Sequence, residues 1–132
     1  MKKFLMVVLS CLLFATVCQA QSAPFKLLSV SANEVKIKTL SETTLYDIAL
    51  VADSQTYKGK SFSNTKGDVK LPGGATAIAG SSLLLPSQYG AMQLSPGTEA
   101  TISGFNAPKD FKAKSVMFLT KKDAKPLYLD IP

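Results

Sequence analysis

Side chains able to perform nucleophilic or metal chemistry are scarce in this chain of 132 residues. It contains no histidine and no tryptophan, and all fifteen of its basic residues are lysines. Its two cysteines, Cys11 and Cys18, both lie in an apolar N-terminal stretch. Thiol and imidazole chemistry is therefore excluded after position 18, and with it any Ser-His-Asp or Cys-His arrangement. We predict that the protein is not an enzyme.

Two short motifs contain residue types found in known catalytic loops. Gly59-Lys60-Ser61 is the tail of a phosphate-binding loop, but Ser54 stands where the leading glycine belongs and no helix pattern follows. Ser63-Asn64-Thr65-Lys66 has the serine-x-x-lysine spacing of serine acyltransferases, in which a helical turn brings the amine to the hydroxyl. We interpret the first as a lysine-rich turn between strands and the second as a solvated polar turn ending in Gly67.

Metal sites lack the usual ligands. Zinc and copper sites built on imidazole or thiolate cannot form after position 18 without an outside ligand. Met92 and Met117 stand in predicted strands, which favours a place in the core over a soft-metal site. The nine acidic residues are scattered singly apart from the loosely spaced Asp47 and Asp53, whereas calcium needs about six to eight oxygen ligands. We predict no catalytic, cofactor-binding or metal-binding residues.

The N-terminus has the pattern of a secretory signal peptide. Met1-Lys2-Lys3 is positive, Phe4 to Val17 is apolar, and Cys18-Gln19-Ala20 places small residues at a cleavage site. The apolar run is shorter than the roughly 20 residues that cross a bilayer as a helix. We expect residues 1–20 to be a signal peptide and 21–132 a single domain, periplasmic or secreted after cleavage near Ala20; a lipoprotein acylated at Cys11 is the less favoured alternative.

Cleavage at this site leaves 112 residues with 13 lysines and nine acids, a formal charge of +4. Specific nucleic-acid sites favour arginine and stacking aromatics, so the absence of arginine argues against nucleic acid as a partner. We expect Lys36 and Lys38 on the exposed face of one strand and Lys109, Lys112 and Lys114 on that of another. Such lysines favour solubility and discourage edge-to-edge aggregation, and they permit a weak attraction to anionic surfaces.

Hydrophobic spacing has a period of two, and turn residues recur every eight to twelve positions. Val35-Lys36-Ile37-Lys38, Tyr46 to Leu50 and Leu127 to Ile131 alternate, which gives each strand one core face and one wet face. This pattern predicts an all-β fold, an antiparallel β-sandwich of seven to eight strands. The candidate strands are 25–31, 34–40, 44–52, 56–62, 75–85 in two pieces, 90–94, 98–105, 113–120 and 126–131.

Two segments resemble bacterial immunoglobulin-like modules of the CARDB and conserved-repeat type. The first runs from Leu40 through Ser41-Glu42-Thr43 to Leu50, a polar turn before a strand of alternating aliphatics. The second runs from Leu94-Ser95-Pro96-Gly97 to Gly104, a leucine-x-proline-glycine turn that opens a later strand. The resemblance implies a seven-stranded immunoglobulin-like sandwich over residues 25–131, and it carries over no catalytic or binding residue.

Three functions follow from these features. The first hypothesis is an exported, non-enzymatic immunoglobulin-like domain that binds an envelope or secreted protein as a binding or adhesion module. The second is a structural or assembly subunit linked by β-strand addition, with Phe25 to Ser31 or Leu127 to Ile131 as the pairing strand. The third is a periplasmic carrier of a small ligand or metal, against which the missing histidine argues for copper.

Overall fold

The computed structural model describes residues 23–131, and within this range the chain forms thirteen strands and no helix. The predicted signal peptide, with Cys11 and Cys18, lies outside the described residues. In chain order the strands are β1 (Phe25–Val30), β2 (Glu34–Thr39), β3 (Thr43–Leu45), β4 (Asp47–Ala52), β5 (Gln55–Lys58), β6 (Ser61–Lys66), β7 (Val69–Lys70), β8 (Thr76–Ala77), β9 (Ser82–Leu84), β10 (Met92–Leu94), β11 (Glu99–Ser103), β12 (Ser115–Leu119) and β13 (Leu127–Asp130).

These strands form three antiparallel sheets. A five-stranded sheet has the order β9-β6-β11-β2-β1, and a four-stranded sheet has the order β13-β12-β4-β5. A smaller four-stranded sheet has the order β3-β10-β7-β8. The all-β, antiparallel prediction is confirmed, because every strand pair among the described residues is antiparallel.

The two larger sheets pack face to face as a sandwich around one core. Phe25 of β1 stacks on Phe118 of β12 across the gap, with ring centroids 4.4 Å apart and planes within 7° of parallel. Alternate residues of each strand point inward, as the period of two requires. The fully buried aliphatic and aromatic residues of the two inner faces include Val35, Ile37, Phe62 and Ile102 on one side and Ile48, Leu50, Val116 and Phe118 on the other.

The small sheet lies against one end of this sandwich. Only Tyr46 separates β3 from β4, and only Gly67 and Asp68 separate β6 from β7, so its strands continue strands of the larger sheets. Its buried side chains belong to the same core cluster as those of the sandwich. They are Leu45, Val69, Ala77, Met92 and Leu94. The end of the core is therefore closed by strands and not by a loop.

The strand count of seven to eight was wrong: the structure has thirteen strands, because candidate segments 44–52 and 56–62 are each split and the two-residue strand β7 was missed. Segment 44–52 breaks at Tyr46, whose N–H donates to the Leu119 carbonyl while its own carbonyl accepts from the Ser87 N–H. Segment 56–62 breaks at Gly59, which abuts the core: a Cβ there would lie 2.5 Å from the Ile102 side chain. Even so, nine of the thirteen strands belong to the two large sheets.

Candidate functional site

The outer face of the five-stranded sheet is polar. One row across it contains Ser82, Ser63, Thr101 and Lys36, and the next contains Leu84, Ser61, Ser103 and Glu34. Apart from Leu84 on the edge strand, these two rows present hydroxyls and charges to solvent. This is the usual arrangement for an antiparallel sheet with one face in water.

The outer face of the four-stranded sheet is different, because its central residues are apolar. One row contains Lys58, Ala49, Met117 and Tyr128, and the next contains Thr56, Val51, Ser115 and Asp130. A third pair joins Asp47 to Leu119. We define the apolar face as Ala49, Val51, Met117, Leu119 and Tyr128, all of which project away from the core.

Part of the apolar face is open to solvent. Tyr128 is 57% exposed, whereas Val51, Met117 and Leu119 are half-buried and Ala49 is buried. The burial of Ala49 is accounted for by its longer row neighbours, Lys58 and Met117. Tyrosine and methionine are enriched in protein interfaces, and contiguous exposed apolar patches mark sites of interaction. The arrangement suits contact with another surface.

Asp47 lies at one end of this sheet and is buried, with 2% of its surface exposed. Its Oδ1 accepts a hydrogen bond from the Ile48 N–H at 2.9 Å, and its Oδ2 lies 3.7 Å from the exposed Lys58 Nζ. Burial raises the pKa of the Asp47 carboxyl, and this effect outweighs the Ile48 hydrogen bond and the Lys58 charge, which lower it. Asp47 and Ala49 lie on the outward side of β4, as the alternation predicts, but the expectation that this side exposes them to water was wrong, because both are buried.

The raised pKa predicts how Asp47→Asn changes stability with pH. When the pKa of a carboxyl is higher in the folded than in the unfolded chain, the folded protein becomes less stable as the pH rises from the unfolded-state pKa through the folded-state pKa. Since asparagine does not ionise, the free energy of unfolding of Asp47→Asn should shift upward relative to the parent chain as the pH rises above the ordinary carboxyl pKa of about 4. Urea unfolding across this rise in pH measures the difference, with the exposed Asp110→Asn as the matched charge control. If the free energy of unfolding of Asp47→Asn instead falls relative to the parent chain as the pH rises, the attraction of Lys58 for the Asp47 carboxylate outweighs the cost of burying its charge.

A second feature is a groove with a volume of about 550 Å³ where the five-stranded and small sheets meet. Lys38 ends one wall, Lys66 and Lys70 lie on either side of the Gly67 turn, and the 95–98 turn forms the opposite side. We call this the lysine groove. The full set of lining residues is Lys38, Lys66, Gly67, Asp68, Lys70, Thr76, Ser95, Pro96, Gly97 and Thr98.

Asn64 fixes the floor of the lysine groove. Its side chain is completely buried, and its Nδ2 donates to the backbone carbonyls of Gly67, Ala77 and Ile78 at 2.9, 3.1 and 3.0 Å. One amide thus joins the end of β6 to the small sheet. Gly67 has a φ of +91°, and a Cβ there would lie 2.9 Å from Thr98 Oγ1, so this turn requires glycine.

The two catalytic-looking motifs have structural roles. Gly59-Lys60 connects β5 to β6, between strands as predicted, but it crosses from one sheet to the other and Ser61 already belongs to β6. The prediction of a polar turn over Ser63-Asn64-Thr65-Lys66 was wrong, because these residues form the second part of β6. No helical turn brings the Lys66 amine to the Ser63 hydroxyl: in β6 Ser63 pairs with Thr101 and Lys66 with Glu99, and a register shift between these pairs leaves both side chains on the outer face. The acyltransferase geometry is not formed.

The methionines, Asp53 and the lysines of β2, which the sequence also marked for comment, lie in different parts of the structure. Met92 is fully buried in β10, whereas Met117 projects outward from β12 and belongs to the apolar face. Asp53 is exposed in the β4–β5 turn and pairs with Lys114 at 2.7 Å, remote from the buried Asp47. Lys36 and Lys38 lie on the outer face of β2 as expected.

Lys109, Lys112 and Lys114 were expected on a strand, which was wrong. They precede β12, in the irregular segment 104–114. Pro108 and a left-handed backbone conformation at Asn106, with φ of 55°, keep this segment out of the sheet. Lys112 lines a small cavity of about 170 Å³ beside Val30 and Ser31, at the opposite end of the sandwich from the lysine groove.

Within residues 23–131, no group of three or more acidic, histidine or cysteine side chains is arranged to hold a metal ion. The same residues include no helix long and apolar enough to span a bilayer. Comparisons of the chain with protein-family models, with curated proteins and with solved structures find no match. The apolar face and the lysine groove are therefore the two surfaces from which a function can be argued.

Proposed function

We propose that this chain is an exported, non-enzymatic immunoglobulin-like domain that binds another envelope or secreted protein through the apolar face. The observation that carries the proposal is that outer face, where Ala49 and Val51 of β4 lie beside Met117 and Leu119 of β12 although the inner face of both strands is apolar too. Burying such a face against a partner gains free energy at roughly 25 cal/mol per Å² of apolar area, before the costs of association.

The strand order supports the immunoglobulin-like part of the proposal. In such domains strands A, B, E and D form one sheet and C, F and G form the other, with C′ added in variable-type domains. Here β1-β2-β11-β6 corresponds to A-B-E-D, and β13-β12-β4-β5 corresponds to G-F-C-C′. The extra edge strand β9 and the small sheet are additions to that order. The turn at 95–97, which directly precedes β11, agrees with the CARDB-type resemblance.

The charges around the apolar face indicate what the partner offers. Lys58 stands at the β5 edge of its row, and Asp130 stands at the β13 edge of the next row. A complementary surface has apolar side chains at its centre, a carboxylate opposite Lys58 and a cation opposite Asp130. Export, supported by the signal-peptide pattern, places this partner in the envelope or outside the cell.

Tyr128→Ala is the variant that tests this surface. Exposed tyrosines near the centre of an interface often contribute 2 kcal/mol or more, so the variant should weaken partner binding by roughly 30-fold. Tyr89→Ala is the matched control, because Tyr89 is 50% exposed but lies outside both large sheets. The measurement is recovery of proteins from an envelope extract on each immobilised variant, followed by titration of the protein recovered.

A protein recovered equally by both tyrosine variants would contradict the proposal. Sedimentation of the purified chain covers self-association: a dimer that dissociates in Tyr128→Ala would mean that a second copy, and not a different protein, occupies the apolar face. Measured turnover of a substrate would contradict the non-enzymatic part.

Assembly by β-strand addition has less support. Both terminal strands pair within the chain, β1 with β2 and β13 with β12, and each leaves one edge open. The edge of β1 is interrupted by a bulge between Leu27 and Ser29, and β13 has only four residues after Pro126. Bulges, short edge strands and prolines are features that discourage pairing with another chain. The carrier hypothesis stays a prediction.

A further inference from the structure

We propose that the lysine groove binds a ligand carrying several phosphate groups, independently of the apolar face. Three lysines, Lys38, Lys66 and Lys70, line one concavity although they come from three different strands. Lysine binds phosphate as a point charge, without the bidentate geometry that arginine would supply.

The lysines of the groove are not neutralised locally. Among residues 23–131, the ion pairs within 4.0 Å involve Lys36, Lys58 and Lys114, and none involves Lys38, Lys66 or Lys70. The row across the five-stranded sheet at this end reads Lys26, Lys38, Glu99 and Lys66. This row thus contains one glutamate and three lysines, which leaves a surplus of positive charge beside the groove.

The other polar side chains of the groove include hydroxyls that can donate a hydrogen bond to an anion. Thr76 and Ser95 bring hydroxyls to the lining. The one acid in the lining, Asp68, has its Oδ1 occupied by the Ala79 N–H at 3.1 Å. A ligand that fits must be anionic and rich in acceptor oxygens, which describes phosphate.

The backbone that carries two of the lysines is held in place by buried contacts. Asn64 holds the Gly67 carbonyl from below, and Gly67 packs directly on Thr98, which is 4% exposed. Lys66 and Lys70 therefore extend from a fixed turn. At about 550 Å³ the groove exceeds a single phosphate, which favours a ligand with two or more linked phosphate groups.

The test is isothermal titration calorimetry, in which inorganic tripolyphosphate is titrated into the chain of residues 21–132 that signal-peptide cleavage is expected to leave. We expect one site, weakened by added salt. The double variant Lys66→Gln/Lys70→Gln should weaken binding at least tenfold, since hydrogen bonds to charged groups each contribute roughly 1.5–3 kcal/mol before exposure reduces them. The matched control, Lys109→Gln/Lys112→Gln, removes the same charge at the opposite end and should change binding less than about twofold.

A second arm separates a lipid headgroup from a soluble phosphate ligand. Vesicles of phosphatidylglycerol and of phosphatidylcholine are compared for binding, with tripolyphosphate as competitor. Competition that depends on Lys66 and Lys70 assigns the groove to headgroup phosphate, and tripolyphosphate binding without vesicle binding assigns it to a soluble ligand. The proposal is overturned by equal losses in the two double variants, by vesicle binding that tripolyphosphate does not displace, or by no tripolyphosphate binding. Far-ultraviolet circular dichroism checks that each variant keeps its β-sheet structure.

Discussion

Replacing Phe118 by alanine is expected to lower the free energy of unfolding by about 3–5 kcal/mol, as large-to-small changes at buried aromatic residues do. Phe118 is fully buried in β12, and its ring stacks on Phe25 of the opposite sheet at 4.4 Å. Its removal leaves a cavity between the two sheets and also ends the stacking contact. Since single domains are stable by about 5–15 kcal/mol, the variant should lose a large part of its total stability.

Urea unfolding followed by circular dichroism measures this loss. Tyr128→Ala is the matched control, because it removes an aromatic ring from the outer side of the same sheet, one strand away. The control should change the free energy of unfolding by less than about 1 kcal/mol. Similar losses in the two variants would mean that Phe118 does not lie in a sandwich core.

The second large effect is expected for Asn64→Asp. The Asn64 amide donates to three backbone carbonyls, and a carboxylate in its place has no hydrogen to donate. It would bury a negative charge against those oxygens, so we expect a loss of at least about 3 kcal/mol at neutral pH. The loss should become smaller at acidic pH, where protonation restores one donor.

Asn106→Asp is the matched control for this change, because Asn106 is exposed in the segment before β12. The same substitution there should shift unfolding by less than about 0.5 kcal/mol. Unfolding midpoints of both variants at neutral and acidic pH provide the comparison. If Asn64→Asp unfolds like Asn106→Asp, Asn64 does not join β6 to the small sheet.

The alternation of the strands made the sandwich predictable. Val35 and Ile37 alternate with Lys36 and Lys38, so one face of β2 is apolar and the other is charged, and the structure places them accordingly. Turn residues at 53–54 and 95–97 also separate strands as expected, although Gln55, expected in the first of these turns, begins β5. In these places one local rule decides the conformation, and no distant contact is needed to choose the face.

The apolar face was not predictable in the same way. In β4, Ile48 and Leu50 face the core while Ala49 and Val51 face outward, and all four are apolar. When both alternating sets are apolar, the pattern does not indicate which side is buried. The same ambiguity concealed Met117, which was expected in the core.

The lysine groove and the Asn64 site depend on topology. Lys38, Lys66 and Lys70 lie far apart along the chain and meet only because β2, β6 and β7 end at the same place. Asn64 was assigned to a polar turn because Ser63 to Gly67 has a turn-like composition. Its burial follows from the neighbouring small sheet, whose two-residue strand β7 is too short to be recognised from alternation.

The central claim is that the apolar face is covered by another protein, and site-specific photo-crosslinking in cells that export the chain tests it most directly. A benzophenone amino acid is placed at position 128 on the apolar face, or at position 101 on the polar face of the other sheet. We predict a discrete adduct with a different protein from position 128 and none from position 101. Adducts of equal yield from both positions, or an adduct only with a second copy of the chain, would contradict the claim.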